Sequence, residues 1–200
     1  MPSKTDFNVS PYYDDFAESK KFHRVMYRPA YAVQARELTT QQSITQNQIE
    51  KMGDHIFKHG AMVIPGETNV DLNYEAVKLT SFNGTLADYN GNTLTGGTSG
   101  VVADVVNYVA TDGTDPDTLF VKYRNSGTDN ATSSFTDDEI LTSGHTDAMT
   151  AVCDTTATGS AVHIGAGTYY INGFFVEVAT QTLILDKYDN IPDYRVGLTI

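Results

Sequence analysis

The sequence predicts a mainly β protein with one long N-terminal α-helix. An irregular aromatic arm comes first, then a heptad helix, then a sandwich- or barrel-like β body with a small inserted β-barrel. Three observations predict this. Residues 1–31 are broken by Pro2, Pro11 and Pro29 and studded with aromatics, so no long helix fits there. Residues 32–60 are rich in helix formers and interrupted only by Gly53 before Gly60. After Gly60 the apolar period switches to two, with Gly- and Pro-rich turns at even spacing.

The arm, residues 1–31, carries Tyr12, Tyr13, Phe16, Phe22, Tyr27 and Tyr31, rings that need a covering surface from this chain or a partner. In the helix, Gly60 is the expected stop, with Lys58 and His59 in the last turn where cations are favoured. Ala35, Leu38, Gln42, Thr45, Ile49, Met52 and Ile56 follow one another at alternating steps of three and four, a heptad seam with polar Gln42 and Thr45 at its centre. Two readings stay open. The seam joins identical helices in a parallel coiled coil, or it packs on the chain's own sheet with Ile44 in a broader apolar stripe.

In the β body, residues 61–84 and 151–200, an apolar run at 61–64 ends at Pro65-Gly66. Residues 70–79 alternate with a phase change near Tyr74–Ala76 that suggests a bulge or two strands. Residues 85–150 read as the inserted unit, with strands expected at 101–109, 118–124 and 135–141. Further strands follow at 162–164, 168–171, 174–178 and 181–185, and Asn172-Gly173 is the strongest hairpin signal. The strand-like run 195–200 has no closing turn, and more polypeptide is expected beyond it.

Composition narrows the function. The 200 residues sum to −12, and residues 61–200 account for −13 of it while residues 1–60 sum to +1. So acidic a body excludes nucleic acid as a partner and disfavours anionic membranes. No apolar stretch approaches the ~20 residues of a membrane span. Cys153 is the only cysteine, so an intrachain disulfide is excluded, and a lone Cys among Thr, Ala and Val reads as a small buried hydrophobe. The loop 96–100 resembles a phosphate cradle in composition only, since no Lys and no helix follow it. Asp112, Asp115 and Asp117 lack calcium-loop spacing, and His55 and His59 lack a third ligand. No nucleophile, base and acid are marked together, so the reading contains no catalytic residue, no cofactor and no metal.

The run from Pro11 through Tyr12, Tyr13, Phe16, Phe22, Arg24, Tyr27 and Arg28 to Thr39 resembles the N-terminal domain of virion structural proteins of contractile-tailed phages, notably cyanophages. Residues 46–50, 53–58, 63–66, 169–176 and 194–198 extend the likeness. The resemblance implies a tail component at the baseplate or the root of a tail fibre, synthesised in a bacterial cytoplasm and usually trimeric. On that reading Tyr12, Tyr13, Phe16, Phe22 and Tyr27 anchor in a groove of a neighbouring tail protein. Arg24, Arg28 and Arg36 meet acidic neighbours, and Leu38, Gln42, Thr45, Ile49, Met52 and Ile56 hold the three-fold axis. Two alternatives stand beside it. One is a host-receptor or glycan-binding module displaying the acidic loops of 85–142. The other is a tailspike depolymerase using carboxylates among Asp112, Asp115, Asp117 and Glu139, paired across a groove.

Overall fold

The computed structural model describes residues 7–199, and the protein is mainly β, with one α-helix and two sheets. It divides into two compact units, one formed by residues 1–67 with 164–181, the other by residues 68–163 with 182–200.

In the first unit the arm is irregular except for a 3-10 turn at Glu18–Lys20, and helix α1 runs Ala35–Ile56. Both ends fall inside the 32–60 read from the sequence, for reasons of local chemistry. The Glu37 carboxylate accepts the Gln34 N–H at 2.9 Å, which caps the helix there. At the other end Phe57 turns into extended backbone and sets its ring 5.6 Å from Tyr170 and 6.0 Å from Phe175. Lys58 and His59 therefore lie beyond the helix. Gly60 is not its stop but a left-handed turn residue, φ +80°, leading into β1. Strands β1 (Met62–Ile64), β8 (Gly167–Ile171) and β9 (Phe174–Val178) form a three-stranded antiparallel sheet in the order β1-β8-β9. The β8–β9 turn is Asn172 and Gly173 at φ +48° and +86°, the left-handed pair that the sequence signals.

Gly53 is where α1 meets this sheet. A Cβ there would lie 2.4 Å from the Tyr170 ring. That ring is fully buried, flanked by Phe57 and Phe175, and its hydroxyl donates to the Glu50 carbonyl at 2.9 Å and the Asp54 carboxylate at 2.8 Å. Burial and the Asp54 carboxylate push its pKa up to about 12, so it stays a donor. Gly→Ala in an exposed helix gains about 0.5–1 kcal/mol; here the sign reverses. Gly53→Val is expected to cost about 3 kcal/mol, as overpacking does when the neighbour cannot move, read as a lower urea midpoint.

The second unit holds strands β2 (Thr68–Phe82), β3 (Thr93–Gly96), β4 (Val102–Val109), β5 (Thr118–Asn125), β6 (Ile140–Ser143), β7 (Thr150–Ile164) and β10 (Gln181–Asp186). Their order is β10-β7-β2-β5-β4-β3-β6, and β6 also pairs with β7. Six strands thus close into a barrel, and β10 extends the sheet from β7. Leu94, Val101, Leu119, Phe135, Leu141 and Cys153 belong to its core.

The barrel is not confined to the 85–150 drawn from the sequence. It takes β2 and nearly all of β7 as walls, because 93–143 alone supplies four strands. The phase change near Tyr74–Ala76 is no break between two strands, and the register with β5 is regular over Ala76–Lys78. Ala76 and Val77 are both fully buried, so one continuous strand is covered on both faces. The strand read at 162–164 is the end of the 15-residue β7. Phe135 is buried but lies in a loop ahead of β6, and residues 187–199 form no strand. Ile200 and residues 1–6, with Pro2, lie outside the described residues. No described helix is long and apolar enough to cross a membrane.

Candidate assembly surface

The arm and α1 lie in one unit, joined by polar contacts. The Thr39 hydroxyl donates to the Tyr12 carbonyl at 3.1 Å, and Thr40 Oγ1 accepts the Asp15 N–H at 3.3 Å. Gln41 Oε1 accepts the Val25 N–H at 3.0 Å, and the Ser43 hydroxyl donates to the Asp14 carboxylate. Lys51 pairs with Glu18. Further along, the Gln46 amide donates to the Gly173 carbonyl at 2.7 Å, beside the Glu50 and Asp54 contacts to Tyr170. The buried residues of the helix are Thr40, Ile44, Asn47, Glu50 and Gly53, and four of these five are not apolar side chains.

The apolar seam points the other way. All seven of its positions are exposed: Ala35, Gln42 and Thr45, together with Leu38 at 53%, Ile49 at 41%, Met52 at 67% and Ile56 at 57%. Packing of this face on the chain's own sheet is therefore excluded, and Ile44 belongs to the opposite, inward face. The reason is chemical, since α1 spends its Thr, Ser and Gln groups on backbone N–H and C=O groups of the arm and hairpin and on the Asp14 carboxylate. With the seam positions as a and d of the repeat, the flanking e and g positions are Thr39, Gln41, Gln46, Gln48, Gly53 and His55, none of them a permanent charge. At the centre Thr45 donates to the Gln41 carbonyl and accepts from the Gln41 amide, and Gln42 is exposed.

The arm presents Tyr12, Tyr13, Phe22, Tyr27 and Tyr31 exposed, while Phe16 is half-buried. The Arg28 guanidinium lies 4.3 Å over the Tyr31 ring and the Lys20 ammonium 5.7 Å over Phe22. Lys20, with Arg36 further off, holds the Asp15 carboxyl below its ordinary range. Among the described residues Arg24, Arg28 and Arg36 form no ion pair.

The remaining sequence candidates are scattered. Lys187 clamps Asp112 at 2.9 Å and Asp115 at 2.8 Å, while Asp117 accepts the Thr111 N–H. His59 Nδ1 accepts the Asn172 N–H, and His55 stays on the exposed helix surface. Cys153 is buried in the barrel core. Burial and the surrounding acids, Asp137 foremost, push its thiol up to about 12, so it is the inert hydrophobe that the sequence suggests.

The sequence offered Glu139 only as a carboxylate of the depolymerase alternative, and the structure gives it another place. It is the group cradled by the 96–100 loop, accepting the Thr98 N–H at 3.0 Å, the Ser99 N–H and hydroxyl at 2.9 Å, and the Thr136 N–H at 2.8 Å. The loop does bind an anion, and the anion is the chain's own carboxylate. The composition of the loop hinted at this, but 40 residues separate the partners.

No curated protein and no solved structure matches the chain. Residues 10–134, running from the arm through α1 to the loop after β5, match a domain of unknown function, DUF4815. That match spans more than half of the 200 residues, and the chain therefore belongs to the DUF4815 family.

Proposed function

We propose that this protein is a structural subunit of a contractile phage tail, at the baseplate or at the root of a fibre, assembled as a homotrimer through the α1 seam. The observation that carries the assembly role is the seam itself. A heptad stripe stands exposed on a helix whose other face is fully engaged by its own chain. Four large apolar side chains exposed in register are costly for a helix that stays single in water. Identical helices brought together on this stripe meet no like charge at the flanking positions. The central Gln42 and Thr45 then fix register, at some cost in stability.

The arm supports attachment to other tail proteins, because its exposed rings and its arginines are the residue types that concentrate interface energy. The placement in a phage tail rests on the resemblance of residues 11–39 and of the later segments to phage virion proteins. The subunit is virion-bound and needs no cofactor, nucleic acid or membrane for this role.

Light scattering of the chain in solution tests the assembly. The expected mass is about 65 kDa, three times the 21.8 kDa chain. A monomer at concentrations of about 100 μM, well above the Kd range of stable assemblies, overturns the seam reading. Placement in the tail is tested separately, by locating the subunit in micrographs of whole particles. A density away from baseplate and fibres overturns that part.

A further inference from the structure

The second unit carries an open groove of about 480 Å3 on its sheet. Its long wall is β2. Asn69, Asp71, Asn73 and Glu75 occur at every second residue there, so four planar amide or carboxyl groups repeat about 7 Å apart along one face. Toward the barrel the same face continues into Val77 and Leu79, which belong to its core. The groove is thus the place where a core-facing strand runs on past the core and changes from apolar to polar.

The other walls complete a two-sided character. Buried Val121 and Ala161, half-buried Tyr123 and the 43% exposed Val106 give apolar surface. On either side of β2 stand Lys122 of β5 and His163 of β7, with Thr182 of β10 beyond, and His163 Nδ1 and the Thr182 hydroxyl are 3.0 Å apart.

We propose that this groove binds a neutral saccharide of one or two rings. A sugar is amphipathic in the way the groove is, with hydroxyls at its rim and C–H groups on its ring faces. Planar carboxylates and amides engage hydroxyls as paired donors and acceptors, and Val106 and the Tyr123 ring offer surface to the C–H face. Charge selects against the competitors. Lys122 offsets one of the two carboxylates Asp71 and Glu75, so neither a polyamine nor a phosphate meets a strong single-sign field. Burial holds the Glu75 carboxyl above its ordinary value, and Asp71 adds to the effect, which weakens the site further for cations. Among the described residues no three His, Cys, Asp or Glu side chains are grouped to hold a metal ion. The groove lies in one unit, and its use is independent of the helix seam.

The test titrates the full chain, 15N-labelled, with glucose, galactose, N-acetylglucosamine, maltose, lactose and chitobiose, with spermidine and inorganic phosphate as controls. The expected result is saturable shifts at the amides of Asn73, Val106, Tyr123 and His163 with at least one sugar. Asn73→Ala and Asp71→Ala, both on the β2 rim, are expected to weaken that sugar about tenfold, roughly one hydrogen bond's worth each. Their thermal midpoints should match the parent's, which separates loss of a contact from loss of the fold. Three results overturn the proposal: no sugar shifting these amides, spermidine or phosphate shifting them in place of the sugars, or both variants binding as the parent does. The outcome does not depend on whether the chain is trimeric.

Discussion

Ile49→Asp with Met52→Asp is expected to convert the roughly 65 kDa species to monomers without loss of secondary structure. The two side chains are 41% and 67% exposed in the single chain, so a carboxylate at either costs the monomer little. In a three-stranded seam the same substitutions bring six carboxylates against one apolar axis. The penalty is several kcal/mol per buried ion, more than a 22-residue seam can recover. Light scattering reads the mass and far-UV circular dichroism reads the fold. Retention of the trimer by this variant defeats the seam as the assembly element, and loss of the circular dichroism signal shows that these positions serve the fold instead.

The largest single loss of stability is expected at Glu139. Its carboxylate satisfies three backbone N–H groups and one hydroxyl at a site only 3% exposed. Glu139→Ala leaves all four donors without their acceptor, a cost on the order of 3–5 kcal/mol. For a domain of about 100 residues that is a fall of roughly 15 °C or more in Tm, read by calorimetry. Glu139→Gln keeps one acceptor oxygen and turns an amide toward a donor, so it should lie between the parent and the alanine variant.

The pH dependence follows from the same geometry. Burial alone would raise the Glu139 pKa. The bonds from Ser99, Thr136 and Thr98 outweigh it and hold the group below its ordinary value of 4.5. A carboxyl depressed in the folded state stabilises at neutral pH and loses that contribution as pH falls below about 4.5. The parent should therefore destabilise on acidification through that range, and Glu139→Gln should show a shallower acid limb.

The parts of the fold governed by local rules were legible in the sequence. Asn172-Gly173 announces its hairpin because few other residue pairs accept two left-handed conformations in succession. The heptad seam is written in the spacing from Ala35 to Ile56. What spacing does not contain is which face the chain covers for itself. That depends on hydrogen bonds between residues 16 to 29 positions apart, such as Val25 to Gln41 and Ser43 to Asp14. The β7 strand escaped for a different reason. Its middle, Thr155-Thr-Ala-Thr-Gly-Ser160, offers no large apolar residue to mark a period, and its extended form is imposed by neighbouring strands. The saccharide groove escaped because Asn69, Asp71, Asn73 and Glu75 read alone as the solvent face of a strand. Only β5, β7 and β10 beside them turn that face into a wall.

The polar bonds that pin the arm to α1 also bear on the thermodynamics of whatever meets its rings. An unstructured tail loses about 1–2 kcal/mol of backbone freedom per residue when it docks. Here the backbone is fixed at the Tyr12 carbonyl and the Asp15 and Val25 amides before any encounter. That entropy is surrendered during folding, so docking of Tyr12, Tyr13 and Phe22 costs little more than side-chain ordering. Such an arm behaves as a rigid key, and its association is set by collision and orientation rather than by a folding step.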